Sequence, residues 1–528
     1  MKAKLLGLMM LILSVSTGFS QSYEFNDLKT VVLKNFNSID INHEIQGYYG
    51  FFEAEKKDRK NIHYVLKTFN SMMNEKLEVD IVRRKGTILK EAEFNGSHFC
   101  FLFYNPSLGE QEFVMYDLNG KETGSFKYEK GKVGVQIPME GMVFDPSSKT
   151  LYPVAKKGFV IVELDRNKGV KASLVMLNNE GKKTWDRPAS KTAEKSFDTY
   201  VVIGVNEDYI VCQSTSRVKG NKKEANFHVN IVSTQNGKTL GEIDWSDNAH
   251  VLMPFGARFD EDGESVLIFG EHYAKRADNV PNYKEKLGFF LGRYEIGGDK
   301  IGLYETNYEK DIKPYIPATE KSAKKQKMNI FMHDIVMTKD GNVYVIGEQY
   351  KKEVSGEGLA LNAAGAVLSS LTGGGVSANG GAAAKVVLYD FMVFQFDSFL
   401  KLNKVTAVEK NKSNVYLPQG MGTMPVQYLG LYLKAYDEFD YQFTTVNSER
   451  TNFSFGFVSY DRKDKKAKYQ AGSVTLNEDG EVVSRTVKIT GKPDRFRILP
   501  STPGYVALLE YYRKEKRLLL KQTELDLD

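Results

Sequence analysis

The sequence predicts an all-β fold, a β-propeller of four-stranded antiparallel blades, eight in number with seven as the alternative. Three observations carry this. A unit of four short strands recurs along the chain, and its first and last strand pairs are joined by Asp-Gly or Asn-Gly turns such as Asp340-Gly341 and Asn236-Gly237. Those residues tolerate the positive φ that tight hairpins need. The segment Phe269-Gly-Glu-His-Tyr273 of one unit matches Ile346-Gly-Glu-Gln-Tyr350 of the next. Finally, the chain ends on three strands whose fourth is missing, while an N-terminal strand has no local partner. A ring closed by strands from both ends of the chain satisfies both.

With strands labelled A to D from the inside outward, 21–28 reads as a loose lead-in and 30–35 as the closing strand. The first unit takes 38–44, 48–55, 62–69 and 77–83, and the second takes 89–94, 98–104, 113–117 and 124–128. The third is less regular, at 150–155, 159–164, 171–177 and a short strand near Trp185. The fourth runs through 200–205, 209–214, 227–233 and 240–245, and the fifth through 251–259, 265–273, 287–296 and 301–306. The sixth is the clearest copy, at 329–338, 343–350, 386–396 and 401–408. The seventh uses 440–446, 453–460, 471–476 and 482–489, and the last three strands are 496–499, 505–512 and 518–525. Residues 21–528 thus form a single domain, interrupted by a Gly/Ala-rich insertion at 351–385.

Hairpin polarity places A to B and C to D turns at one end of every blade and all other connections at the opposite end. The long segments 215–226, 274–286, 307–327, 351–385 and 409–436 therefore share one face, around units four to seven. Loops mounted on a rigid scaffold are where binding usually resides. Within the insertion, 359–371 has the pattern of one apolar helix, followed by a Gly-rich linker at 372–381. The stretch 416–428, rich in Met, Tyr and Gly, suits either a ligand groove or a cover over the blade.

Composition narrows the function. The formal charge of +5 falls to +3 without Lys2 and Lys4, too small over this length for a nucleic-acid footprint. Lys2 and Lys4 precede an apolar run at 5–15, and Gly18 and Ser20 stand before Gln21, the pattern of a secretory signal at 1–20 cleaved between Ser20 and Gln21. The expectation is export to the periplasm or the extracellular space, with no lipid anchor, since no cysteine adjoins the cut, and no transmembrane segment after processing. Cys100 and Cys212 are expected to be free, buried thiols in the second strands of units two apart.

No catalytic constellation stands out, and no cofactor or metal site is expected. None of the seven His residues is spaced as a helical zinc pair. The weak catalytic candidates are Glu271, Glu348 and His333. Glu271 and Glu348 hold equivalent B-strand positions, with Glu510 as a third, and His333-Asp334 lies on an inner strand facing the channel. Recurrence of one Glu per blade favours a hydrogen bond to the neighbouring blade over glycoside chemistry by paired carboxylates.

The signal ending Phe19-Ser20 before Gln21, the Phe269-Gly-Glu-His-Tyr273 strand and the Asn-Gly-Lys turns at 119–121 and 236–238 together resemble the uncharacterised secreted propeller-like proteins of Bacteroidota. That resemblance implies export and a propeller and brings no activity. Two functional readings follow. The first is a non-enzymatic binding scaffold for a protein or glycan partner on the long-loop face. The alternative is a glycan- or peptide-acting hydrolase or lyase using carboxylates on that face.

Overall fold

The computed structural model describes residues 22–524 except 27, 42–43, 56–57, 129–131, 134–148, 166–170, 189–195, 219–225, 246–247, 261, 276–280, 316–327, 355–383, 418–425, 436, 461–468, 477–479, 490–492 and 503–504. These residues form eight antiparallel sheets, each built on a four-stranded blade, with a fifth short strand added in blades one, three and six. The inner strands of blades one to eight are Phe36–Ile41, Ile88–Phe94, Leu151–Val154, Ser196–Val205, Val251–Phe259, Asn329–Met337, Tyr441–Val446 and Arg495–Pro500. The ring therefore has eight blades, and the seven-blade alternative falls away. The less regular third unit is a complete blade, with an added short strand, Lys132–Val133, beside Gly158–Asp165.

Ring closure uses an N-terminal strand, but not the expected one. Ser22–Phe25 pairs with Arg517–Glu524 and completes blade eight. The segment expected to close the ring instead divides between Leu28–Thr30, which pairs with the second strand of blade one, and a helical turn at Leu33–Asn35. Packing decides the matter: Phe25 is 2% exposed and meets Phe36 and Phe69 of blade one at ring-centroid distances of 5.5 and 5.4 Å. The closing strand thus ties blade eight to blade one through the core.

Aromatic side chains fill the space between blades. Phe51 of blade one lies 4.1 Å from Phe101 of blade two, and Phe289 of blade five lies 4.8 Å from Phe394 of blade six. Each such pair contributes about 0.5–1.5 kcal/mol beyond the area it buries. The C to D turns add a polar contact to the preceding blade. Thr123 Oγ1 of blade two donates to the Asn179 carbonyl in the turn of blade three at 2.6 Å, and Trp185 Nε1 of blade three donates to Thr234 of blade four at 2.7 Å. In blade five the turn residue Gly298 has φ +99°, and a Cβ there would stand 2.6 Å from the Glu242 carbonyl of blade four. The glycine turns read as hairpin chemistry also make close approach between blades possible.

On the opposite face, two of the five expected long connections are largely hairpin. Tyr209–Val218 continues to pair with Asn226–Ser233 as far as Ser216 and Asn226, and Ser265–Lys275 pairs with Pro281–Glu295 out to Lys275 and Pro281. The connection after blade six holds a strand, Ser413–Tyr416, and a helix, Val426–Ala435, that the sequence reading did not contain. Leu429 and Leu433, one helical turn apart, are buried in a cluster with Phe331, Tyr350 and Phe439, so the helix covers the blade, while most of the stretch 416–428 read as a groove or a cover lies outside the described residues. The helix expected at 359–371 lies outside the described residues. Among the described residues no helix is long and apolar enough to cross a membrane.

Candidate functional site

Two of the acids that the sequence singled out, Glu271 and Glu348, lie in blades five and six, and the third, Glu510, lies in blade eight. Glu348 leaves the second strand of blade six, Val343–Val354, and is fully buried. Lys410, just beyond the fourth strand of the same blade, places Nζ 3.2 Å from Glu348 Oε1 and 2.5 Å from Asp440 Oδ2. Asp440 stands immediately before the inner strand of blade seven and also accepts from Ser413 Oγ at 2.8 Å. The backbone N–H groups of Asp440 and Tyr441 point at the Glu348 carboxylate from 3.4 and 3.3 Å. Glu348 is thus a latch onto the next blade, as recurrence suggested.

The charge balance of this cluster follows from its inventory. Two buried carboxylates share one buried ammonium, so full ionisation would strand a net negative charge away from water. Burial raises the Glu348 carboxyl and pushes Asp440 up to about 7, against the pull of Lys410 on both. Lys410 resists its own desolvation because the two acids hold its pKa above the usual lysine value.

His333 does not line the channel, contrary to the expectation from its place on an inner strand. Met332 pairs with Gly347 and Asp334 with Ile346, leaving His333 as the extra residue of a β-bulge. The bulge turns its fully buried side chain to Glu348, with Nε2 3.2 Å from Oε2. Burial holds the imidazole pKa well below its usual value, so the ring is neutral and donates from Nε2. The same irregularity recurs at Lys90, Ile203, Phe255 and Gln442 in blades two, four, five and seven. The neighbouring Asp334 carboxylate meets the half-exposed Arg258 at 2.6 Å and accepts from the Tyr441 hydroxyl at 3.3 Å. The Tyr441 ring stacks on His333 at 4.5 Å and lies 4.8 Å from Lys434 Nζ of the covering helix.

Glu271 holds the equivalent position in blade five and is likewise closed off. It is 2% exposed, pairs with Lys286 and accepts from the Tyr273 hydroxyl. Lys286 Nζ also reaches toward the Ile330 carbonyl of blade six at 3.4 Å, so this acid too works across a blade boundary. Glu510 in blade eight is 1% exposed, 2.6 Å from Lys521 Nζ and hydrogen-bonded to the Tyr512 hydroxyl at 2.8 Å. The three acids sit in three separate networks, and the structure does not bring Glu271 and Glu348 together as a working pair.

A second group was missed by spacing alone. His250 precedes the inner strand of blade five, His272 follows Glu271 within its second strand, Ser265–Lys275, and Glu305 ends its fourth strand, Lys300–Glu305. One ligand atom from each lies within 4.8 Å of the others, a grouping that the spacing of the seven His residues along the sequence does not show. Strand pairing assembles these residues from sequence separations as large as 55, which no local motif records. Lys410, Lys286 and Asp440 escaped for the same reason, since each is supplied by another strand or connection. Cys100 and Cys212 are free and buried, as expected, and burial raises both thiols.

The chain was compared with known proteins. No curated protein matches it in sequence. Among solved structures it is similar to the WD40 domain of SCAP from fission yeast, with 8% identity over 96% of this chain and 98% of that one and a TM-score of 0.33. It is also similar to the β-propeller domain of the Trilobed protease from Pyrococcus furiosus, with 11% identity, coverage of 70% and 94%, and a TM-score of 0.32. A member of the DUF4221 family from Bacteroides vulgatus matches at 10% identity, with coverage of 71% and 93% and a TM-score of 0.26. A family description matches residues 1–526, and on that match the chain belongs to the family of unknown function DUF6770.

Proposed function

We propose that the protein is an exported, non-enzymatic binding propeller whose protein or glycan partner docks on the connection face of blades four to seven. The observation that carries this reading is the sealing of the candidate acids. Glu348, Lys410 and His333 have no exposed side-chain surface, and Glu271 is 2% exposed. Glycosidic or peptide cleavage by carboxylates needs them to reach the scissile bond and a water. Here their oxygens are taken up by lysines, hydroxyls and the backbone of the next blade. Export rests on the leader pattern at 1–20, with the small residues Gly18 and Ser20 ahead of a cut before Gln21; a cut there leaves the closing strand at Ser22–Phe25 intact.

The test sets binding against turnover. Glycan and peptide panels are offered to the processed chain and to Glu271→Gln and Glu348→Gln, with unfolding temperatures recorded for each. The reading expects a bound ligand without product, and binding retained in whichever variants stay folded. Cleavage of any panel member that Glu348→Gln abolishes at an unchanged unfolding temperature overturns it in favour of the hydrolase or lyase alternative.

A further inference from the structure

We infer that His250, His272 and Glu305 form a binding site for a divalent transition-metal ion of the zinc class. The site is argued from its donors outward. His272 is 3% exposed, and its Nε2 lies 2.8 Å from the Thr306 carbonyl, an acceptor only, so Nε2 carries the proton. The lone pair therefore resides on Nδ1, which is buried without a hydrogen-bond partner and stands 3.5 Å from Glu305 Oε2. A buried, unpartnered imidazole nitrogen costs free energy unless something accepts its lone pair. A metal ion does so.

Glu305 is oriented in the same way. Asn248 Nδ2 donates to Glu305 Oε1 at 2.7 Å, which turns Oε2 toward the two rings. His250 Nδ1 contacts that same oxygen, and the two imidazole rings are 5.2 Å apart between centroids. His272 and Glu305 are each fixed by an outer hydrogen bond, an arrangement typical of metal centres. Gly288 belongs to it as well, because a Cβ at that position would stand 2.8 Å from His272 Nε2 and disturb its bond to Thr306.

The donor set selects the ion. Two imidazole nitrogens and one carboxylate oxygen suit zinc and its neighbours, whereas calcium and magnesium take oxygen donors. With three protein ligands, tetrahedral coordination leaves one position for water or for a donor atom from outside the chain. His250 has 36% of its side chain exposed and forms the open side of the cluster, on the face where binding is proposed. A metal-free hydrogen-bonded triad is the competing account: it explains the contact of His250 with Glu305 and leaves Nδ1 of His272 without a partner.

The experiment titrates Zn²⁺, and separately Co²⁺, into the processed chain after dialysis against a chelator. The expected result is one equivalent of Zn²⁺ per chain, a higher unfolding temperature with Zn²⁺ but not with Mg²⁺, and visible Co²⁺ bands of low coordination number. Asn248→Ala should weaken binding about 10–100-fold, and His250→Ala and Glu305→Gln should weaken it more. His63→Ala, at a histidine paired with Asp80 in blade one, should change nothing. X-ray absorption of the Zn²⁺-loaded wild type, which needs no variant to fold, should show two imidazole ligands. No stoichiometric binding by the wild type, full binding by both His250→Ala and Glu305→Gln, or fewer than two imidazoles would overturn the inference.

Discussion

Glu348 Oε1 lies 3.2 Å from Lys410 Nζ, and neither side chain reaches solvent. An ion pair so placed loses hydration on both sides, and its partners are recovered only within the protein. Here the recovery comes from two blades at once, since Asp440 and Tyr441 belong to the approach to blade seven. Among the described residues, the most buried ion pair therefore serves the joint between blades.

Asp440 should make the cluster sensitive to pH. Its folded-state pKa is raised from 3.8 to about 7, so the native state keeps a proton that the unfolded chain gives up. That contribution is present below the unfolded value and declines as pH rises between the two. Asp440→Asn carries no such proton. The unfolding temperature of the wild type minus that of Asp440→Asn should therefore fall between pH 4 and 7 and level off above. A difference that is constant, or that grows with pH, would contradict the assignment.

The closing strand should be indispensable to the ring. Phe25→Ala removes a buried ring that packs on Phe36 and Phe69 and should cost about 3–5 kcal/mol in denaturant unfolding. Deleting 22–25 should expose the last blade to limited proteolysis before the others, whereas deleting residues ahead of Ser22 should leave the digestion pattern unchanged.

Gly298 and Gly86 separate backbone strain from blade contact. Both have positive φ, at +99° and +88°, but a Cβ on Gly86 would meet nothing within 4 Å. Gly86→Ala should show the conformational cost alone. Gly298→Ala should be worse by about 1–3 kcal/mol, the scale of overpacking, measured as the difference between their unfolding free energies.

Processing gives a direct check on export. The mass of the protein recovered from outside the cytoplasm should correspond to a chain that begins at Gln21. A start beyond Phe25 would remove the closing strand and contradict both the signal assignment and the ring closure.

The blades were legible because alternating apolar strands and Asp/Asn-Gly turns are local signals, repeated often enough to count. The closing strand was misplaced because Val31-Val32-Leu33 looks more strand-like than Ser22-Tyr23-Glu24-Phe25, while the choice between them is made by Phe36 and Phe69 across the ring joint. The helix Val426–Ala435 was hidden by Gly430 at its centre, which lowers helix propensity by about 1 kcal/mol relative to Ala, and tertiary contacts of Leu429 and Leu433 override that preference. The bulge that turns His333 inward leaves no trace in residue type. Of the site, the equivalence of Glu271 and Glu348 could be read in advance, but Lys286 and Lys410 could not, because register and connection path bring them there.

The claim that these acids hold blades together is tested most directly by a double-mutant cycle on Glu348 and Lys410. Lys410→Met leaves two buried carboxylates without a cation and should lower stability by about 3–5 kcal/mol. Adding Glu348→Gln removes one of those charges, so the double variant should be more stable than Lys410→Met alone. A double variant that is less stable than Lys410→Met, with the two losses simply adding, would contradict the account.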